Sequence, residues 1–182
     1  PHWQSERLTH GRADTCFLRD AKTPMTKEEV REVSICKLNL TQNAVVYDIG
    51  SGTGSVAIEI AGVPGGVQVY AIERKPEAVE LLRKNREHFH MDNIQIIEAT
   101  APEGLEELPV PTHAFIGGSG GRLLDILQTL YRKNPHMRIV INAISMETIA
   151  ELKEVLDTFP VEEEEILQMQ VSRVKKLLSY HL

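Results

Sequence analysis

Two glycine clusters, DIGSGTGS at residues 48–55 and FIGGSGG at 115–121, each close a short apolar run. Glycine is kept in an ordered chain where φ must be positive or where something must come close to the backbone. Two clusters imply two things to be held. The first cluster opens on a carboxylate, Asp48, and a second acidic residue, Glu73, follows the glycines within AIERK.

A dinucleotide turn reads G-x-G-x-x-G. Gly50 and Gly52 fit its first two places, but Ser55 holds the third and Gly54 falls one residue early. Asp48 in that turn would repel a pyrophosphate, yet it suits a ligand carrying an ammonium group and a sulfonium. S-adenosylmethionine is such a ligand, and Glu73 can accept hydrogen bonds from both ribose hydroxyls. Enzymes using NAD place an acid there too, so Glu73 alone does not discriminate.

These residues need elements that bring them together. TKEEVREVSICKL (26–38) reads as a helix with Val30, Val33, Ile35 and Leu38 inward, and Thr26 with Glu29 forms a capping-box pattern at its start. Strands are expected at 43–50, 67–73, 93–99, 113–118 and 137–144, and helices at 55–62, 76–89, 122–133 and 146–159. Residues 161–174 read as a last strand whose acidic first half puts it at the sheet edge, antiparallel to the rest. The alternation predicts an α/β, Rossmann-like fold, a mainly parallel twisted sheet flanked by helices. Such sheets bind ligands at the carboxyl ends of their strands, where both glycine clusters fall.

The 182 residues fit a single domain, with residues 1–25 as an N-terminal extension. Composition is that of a globular chain, 42% hydrophobic and 25% charged, without an apolar run long enough to span a bilayer. Nothing at the start resembles a secretion signal, so the expected location is cytoplasmic. Net charge is −6, with EEEE at 162–165 and no basic stripe, which argues against a nucleic-acid partner and gives no sign of a membrane partner. Cys16 and Cys36 lack C-x-x-C spacing, and His88 and His90 have no carboxylate at ligand spacing, so no metal site is expected.

D-x-G-x-G-x-G closing the first strand resembles motif I of the class I methyltransferases. Members that methylate exocyclic nitrogens or amides usually carry Asn/Asp-Pro-Pro-aromatic after the fourth strand, where this chain has GGSGG. PMTKEEVR, DIGSGTGS, AIERKPEAV, EATAPEGL and FIGGSGG, in this order, resemble the decarboxylating precorrin methyltransferases of cobalamin biosynthesis over about residues 17–180. The resemblance implies S-adenosylmethionine-dependent methylation of C-15 of a (cobalt-)precorrin with decarboxylation of its C-12 acetate, S-adenosylhomocysteine being the cofactor product. It further implies a homotetramer and a partner C-5 methyltransferase subunit.

Cofactor contacts carry over to Thr26, Gly50, Ser51, Gly52, Thr53, Gly54, Glu73 and Ala101, beside Asp48, Thr100 and Gly117. Relatives often have aspartate where Thr100 stands, so adenine recognition here rests on backbone or hydroxyl groups. The chain stops at SYHL (179–182), where relatives continue into a final strand, which is expected to be missing here. No catalytic acid or base is identified. For the substrate, the loop Gly117, Gly118, Ser119, Gly120, Gly121 and Arg122 offers backbone N–H groups at a helix start as an anion site for peripheral carboxylates. Arg19, Lys22, Arg173, Lys175 and Lys176 are further candidate cations. The alternatives are a methyltransferase for another small molecule or RNA, an NAD-dependent oxidoreductase, and a noncatalytic cofactor-binding module.

Overall fold

Strands covered on both faces need apolar residues at nearly every position, and VVYDI and HAFI meet that demand. In the computed structural model, which describes residues 10–174, 176–177 and 180–181, they are β1 (Val45–Ile49) and β4 (His113–Ile116), joined by β2 (Gln68–Glu73), β3 (Ile94–Glu98) and β5 (Arg138–Ile141). The five strands are parallel, in the order β3-β2-β1-β4-β5. The helices are α1 (Glu28–Leu38), α2 (Ser55–Ala61), α3 (Pro76–His88), α4 (Leu123–Lys133) and α5 (Met146–Thr158).

Successive strand residues point to opposite faces, and the two cores divide accordingly. Val46, Val69 and Phe115 pack with Ile35 and Leu38 of α1, the apolar residues of α2 and Leu82 of α3. Tyr47, Ile49 and Ile116 pack with Leu123, Ile126, Leu127 and Leu130 of α4 and Val155 of α5. Asp48 lies between Tyr47 and Ile49 and faces α2, whose Ala57 N–H it accepts.

All seven residues of α2 are buried, Glu59 included, because residues 10–18 run against it. The inward face of α1 is Arg31, Ser34, Ile35 and Leu38. It is therefore rotated from the apolar spacing that places Val30 and Val33 inside, and the reason is a buried ionic network centred on Arg31. The capping box at Thr26 does not form. Lys27 is the N-cap and makes no side-chain cap bond, the Thr26 carbonyl accepts from Arg31 Nη1 at 2.7 Å, and Glu29 pairs with Arg173 at 2.7 Å.

Residues 161–174 are not a strand, and the exposed sheet edges are β3 and β5. A strand would send two of the four carboxylates at 162–165 toward each face and split Ile166 from Leu167, so neither face could become apolar. The whole stretch is exposed, with Lys37 pairing to Glu165 at 2.5 Å. Among the described residues antiparallel pairing is confined to β6 (Lys176–Leu177) and β7 (Tyr180–His181), outside the main sheet. Lys175 and the first nine residues of the N-terminal extension lie outside the described residues. Among the described residues no helix is long and apolar enough to cross a membrane.

Candidate active site

The turn after β1 is set by three left-handed glycines, Gly50 (φ 74°), Gly52 (φ 56°) and Gly54 (φ 80°). Each is also hemmed in by a different part of the chain. A β-carbon on Gly50 would lie 2.7 Å from the Gly118 carbonyl oxygen, one on Gly52 would lie 2.6 Å from the Pro24 carbonyl oxygen, and one on Gly54 would collide with Leu82 of α3. The amides of Gly50 and Ser51 both donate to Ile72 O, at 3.0 and 3.1 Å, which ties the turn to β2.

Asp48 is fully buried. Its Oδ2 accepts from the Ser51 hydroxyl at 2.7 Å and from Ala57 N–H at 3.1 Å, while Oδ1 has no hydrogen-bond partner. Burial pushes its pKa up to about 7 against these two bonds, and the nearby charge of Glu73 adds to the rise. Thr53 is fully buried with its hydroxyl unpartnered. Glu73, at the end of β2, accepts from Gly52 N–H through Oε2 and from the Arg74 and Lys75 amides through Oε1, all at 2.9 Å. Each oxygen of a carboxylate has two lone pairs, so acceptor capacity remains on Oε2.

The loop after β4 meets this turn directly. Gly117 N–H donates to Ile49 O at 2.9 Å, and Gly118 abuts Gly50. A β-carbon on Gly118 or Gly121 would meet nothing within 4 Å. Among the described residues the amides of Gly118, Ser119, Gly120 and Gly121 have no hydrogen-bond acceptor.

Both the start of α4 and Arg122 are engaged within the chain. The start of α4 is held by the chain's own carboxylate: Glu151 of α5 accepts from Leu123 N–H at 2.5 Å and from the Ser119 hydroxyl at 3.0 Å. Arg122 is engaged as well: its Nη1 donates to both Glu103 carboxylate oxygens at 2.7 Å and its Nε to Asp125 at 3.2 Å. The cation that stands against the loop is Arg74, whose guanidinium lies 3.2 Å from the β-carbon position of Gly120. Among the described residues no carboxylate pairs with it.

The structure thus gathers Asp48, Gly50, Ser51, Gly52, Thr53, Gly54, Glu73, Gly117 and Gly118 at the carboxyl ends of β1, β2 and β4. Thr26 follows two residues after Pro24, which covers Gly52. Ala101 is buried and Thr100 exposed just beyond β3. Arg19 and Lys22 are exposed in the segment preceding α1, and Arg173 is spent on Glu28 and Glu29. A cleft of about 550 Å³ beside Gly121 is lined by Glu147, Glu151 and Glu154, which suits a carboxylate-rimmed substrate poorly.

Sequence reasoning missed Pro24, Arg31, Glu59, Asn85 and Glu151. Glu59 alone left a local signal, a carboxylate inside the otherwise apolar SVAIEIA.

A five-stranded parallel sheet in this order, with Asp48 ahead of the glycine turn after β1 and an acid closing β2, is the architecture of a class I methyltransferase, which the solved relatives share. The chain belongs to the precorrin methyltransferase family: residues 15–181 match the precorrin methyltransferase domain. A protein of Sulfolobus acidocaldarius named "Probable cobalt-precorrin-6B C(15)-methyltransferase (decarboxylating)" is 45% identical over 143 residues, 76% of this chain and 73% of the relative. The cobalt-precorrin-6B C(15)-methyltransferase (decarboxylating) of Salmonella typhimurium is 39% identical over 137 residues, 75% of this chain and 70% of that protein. The crystal structure of precorrin 8w decarboxylase from Methanobacterium thermoautotrophicum superposes with a TM-score of 0.87 at 34% identity, covering 94% of this chain and 92% of that one.

Proposed function

We propose that this chain uses S-adenosylmethionine to methylate C-15 of a (cobalt-)precorrin and removes the C-12 acetate carboxylate as carbon dioxide. The observation that carries this reading is the backbone contact of Gly50 with Gly118. It makes the turn after β1 and the loop after β4 one continuous floor, bare of side chains at Gly50, Gly117 and Gly118 and open above Gly118, as a wide flat ring requires. The names of the relatives supply the substrate class and the position on the ring.

The residues present fit the cofactor. Asp48 Oδ1 and Thr53 Oγ1 are buried and unpartnered, the remaining lone pair of Glu73 Oε2 suits a ribose hydroxyl, and the glycine turn leaves room for backbone approach. When bound, S-adenosylmethionine supplies an electrophilic methyl group. The protein's part is to align the acceptor and exclude water. The unpaired amides of residues 118–121 and the Arg74 guanidinium are placed to receive peripheral carboxylates. A reduced tetrapyrrole is electron-rich at its meso carbon, so no protein base is required, and the ring takes up the electron pair left by carbon dioxide.

Family resemblance extends the reading to a single cytoplasmic domain that assembles as a homotetramer and works beside a C-5 methyltransferase. Calorimetry is expected to show S-adenosylhomocysteine binding and no NAD binding. Incubation with S-adenosylmethionine and cobalt-precorrin-6B should add one methyl group and release carbon dioxide. Binding of NAD alone, or no turnover with bound S-adenosylmethionine, would overturn the assignment. Arg74→Ala should raise KM for the macrocycle and leave S-adenosylhomocysteine affinity unchanged.

A further inference from the structure

We infer that Asn85 is a positioning residue that couples residues 10–26 to the glycine turn, making that segment a working wall of the cofactor site. The inference rests on the S-adenosylmethionine reading above and names a residue that touches no ligand.

Asn85 lies in α3 and is fully buried. Its Oδ1 accepts from Leu18 N–H at 2.8 Å, and its Nδ2 donates to Leu18 O and to Thr53 O, both at 2.9 Å. Both amide protons are used, so the side chain has one orientation. A flip would set its oxygen against two carbonyls. A buried amide is unfavourable unless bonded, and this one faces inward beside Leu82, the residue that fills the space at Gly54. An apolar residue would serve packing alone. The amide instead joins three segments far apart in sequence, namely α3, the turn residue Thr53 and the N-terminal segment at Leu18.

That segment reaches the cofactor turn a second time. Past Leu18, the Asp20 carboxylate accepts from the Lys22 and Thr23 amides at 2.8 and 2.6 Å, shaping the bend that leads to Pro24 against Gly52 and on to Thr26. Its other end is fastened at Glu59, which accepts from Arg12 N–H at 2.5 Å and from the Arg12 guanidinium at 2.9 Å. Among the described residues, only Asn85 hydrogen-bonds the segment and the turn at once. Lifting the segment strips two bonds from the amide that also fixes Thr53, so segment and turn order together. A ligand that orders the turn must then stabilise the segment by the same coupling free energy.

Hydrogen exchange on the wild-type chain tests this without mutation. Saturating S-adenosylhomocysteine should slow exchange of the Leu18 amide by about tenfold and slow tryptic cleavage after Arg19 and Lys22, with cleavage after the distant Arg132 unchanged. Asn85→Asp keeps the bond from Leu18 N–H but turns an oxygen onto two carbonyls. It should weaken S-adenosylhomocysteine binding by about tenfold and abolish the protection. Unchanged Leu18 exchange on ligand binding, or wild-type affinity in Asn85→Asp, overturns the inference. If Asn85→Asp does not fold, the wild-type exchange decides. If the wild-type chain binds no S-adenosylhomocysteine, the cofactor reading falls first and this inference with it.

Discussion

Gly50 and Gly118 touch through their backbones, yet only one of them is locked. A β-carbon on Gly50 would lie 2.7 Å from Gly118 O and 2.9 Å from Gly118 N, whereas one on Gly118 would face open space. Gly50 also sits at φ 74°, which a side chain resists. Gly50→Ala should therefore part the two loops, destabilise the fold by about 1–3 kcal/mol through strain alone, and lose cofactor binding.

Gly118→Val should leave stability and S-adenosylhomocysteine affinity near wild type while it blocks macrocycle turnover. Parallel calorimetry and turnover assays check it. Equal loss of both functions would assign the loop to the cofactor and not to the acceptor.

Asp48 gives a pH signature. Its carboxyl is raised by burial from 3.8 to about 7 in the folded chain. Between those values the native state holds a proton that the unfolded chain has released, so Asp48 makes stability fall as pH rises through that window. Asp48→Asn keeps an oxygen for Ser51 and Ala57 and carries no charge. Denaturant titrations of the two proteins should coincide near pH 4 and diverge toward pH 8, the variant being the more stable. If Asp48 also attracts the ligand's ammonium group, the same variant binds S-adenosylhomocysteine more weakly. A pH slope identical to wild type would mean that the carboxyl is not shifted.

The strands and both glycine clusters were legible because their signals are local: apolar runs of a few residues, those of β1 and β4 closed by glycine. The helices between them were legible for the same reason. What holds the site together was not, because the bonds are distant: Asn85 meets Leu18 across 67 residues and Ser119 meets Glu151 across 32. The face of α1 was misjudged because Arg31 is charged, and periodicity counts a charge as outside. Thr26 has the chemistry of a cap, but the helix starts beyond Lys27. Residues 161–174 contain enough β-branched and apolar residues to read as a strand, yet no register gives them one apolar face.

Arg31 is the test of the ionic network. It is fully buried, with Nη1 bonded to Asp14 at 3.0 Å and Thr26 O at 2.7 Å, Nη2 bonded to Arg12 O, and Nε 3.6 Å from the equally buried Glu59. Arg31→Met leaves two carbonyls and the carboxylates of Asp14 and Glu59 underpaired. Breaking such a buried pair costs about 3–5 kcal/mol, and each kcal/mol lowers Tm by about 2–4 °C in a chain of this size. Adding Glu59→Gln to Arg31→Met should recover part of the loss, because the two effects are coupled. Strict additivity in thermal unfolding would show that the pair does not interact.

Glu151 places a negative charge at the start of α4, where the helix dipole and the Leu123 amide favour it, and it holds Ser119 in the substrate loop. The same charge opposes any carboxylate that approaches the amides of residues 118–121. Glu151→Gln retains an acceptor for Leu123 and an NH₂ group that can donate to the Ser119 hydroxyl, so loop geometry should survive while the repulsion is lost. KM for the macrocycle should then fall about two- to fivefold, the scale of one charge at a helix end. Glu151→Ala removes the acceptor too, which should lower stability by about 0.5–2 kcal/mol, as loss of a helix cap does, and reduce kcat through a loosened loop. Because the Gln effect is electrostatic, it should shrink at high ionic strength, while the kcat loss in the Ala variant should persist. Steady-state kinetics of both variants at two salt concentrations separate the charge from the scaffold. A salt-independent KM change in Glu151→Gln would leave Glu151 with the scaffold role alone.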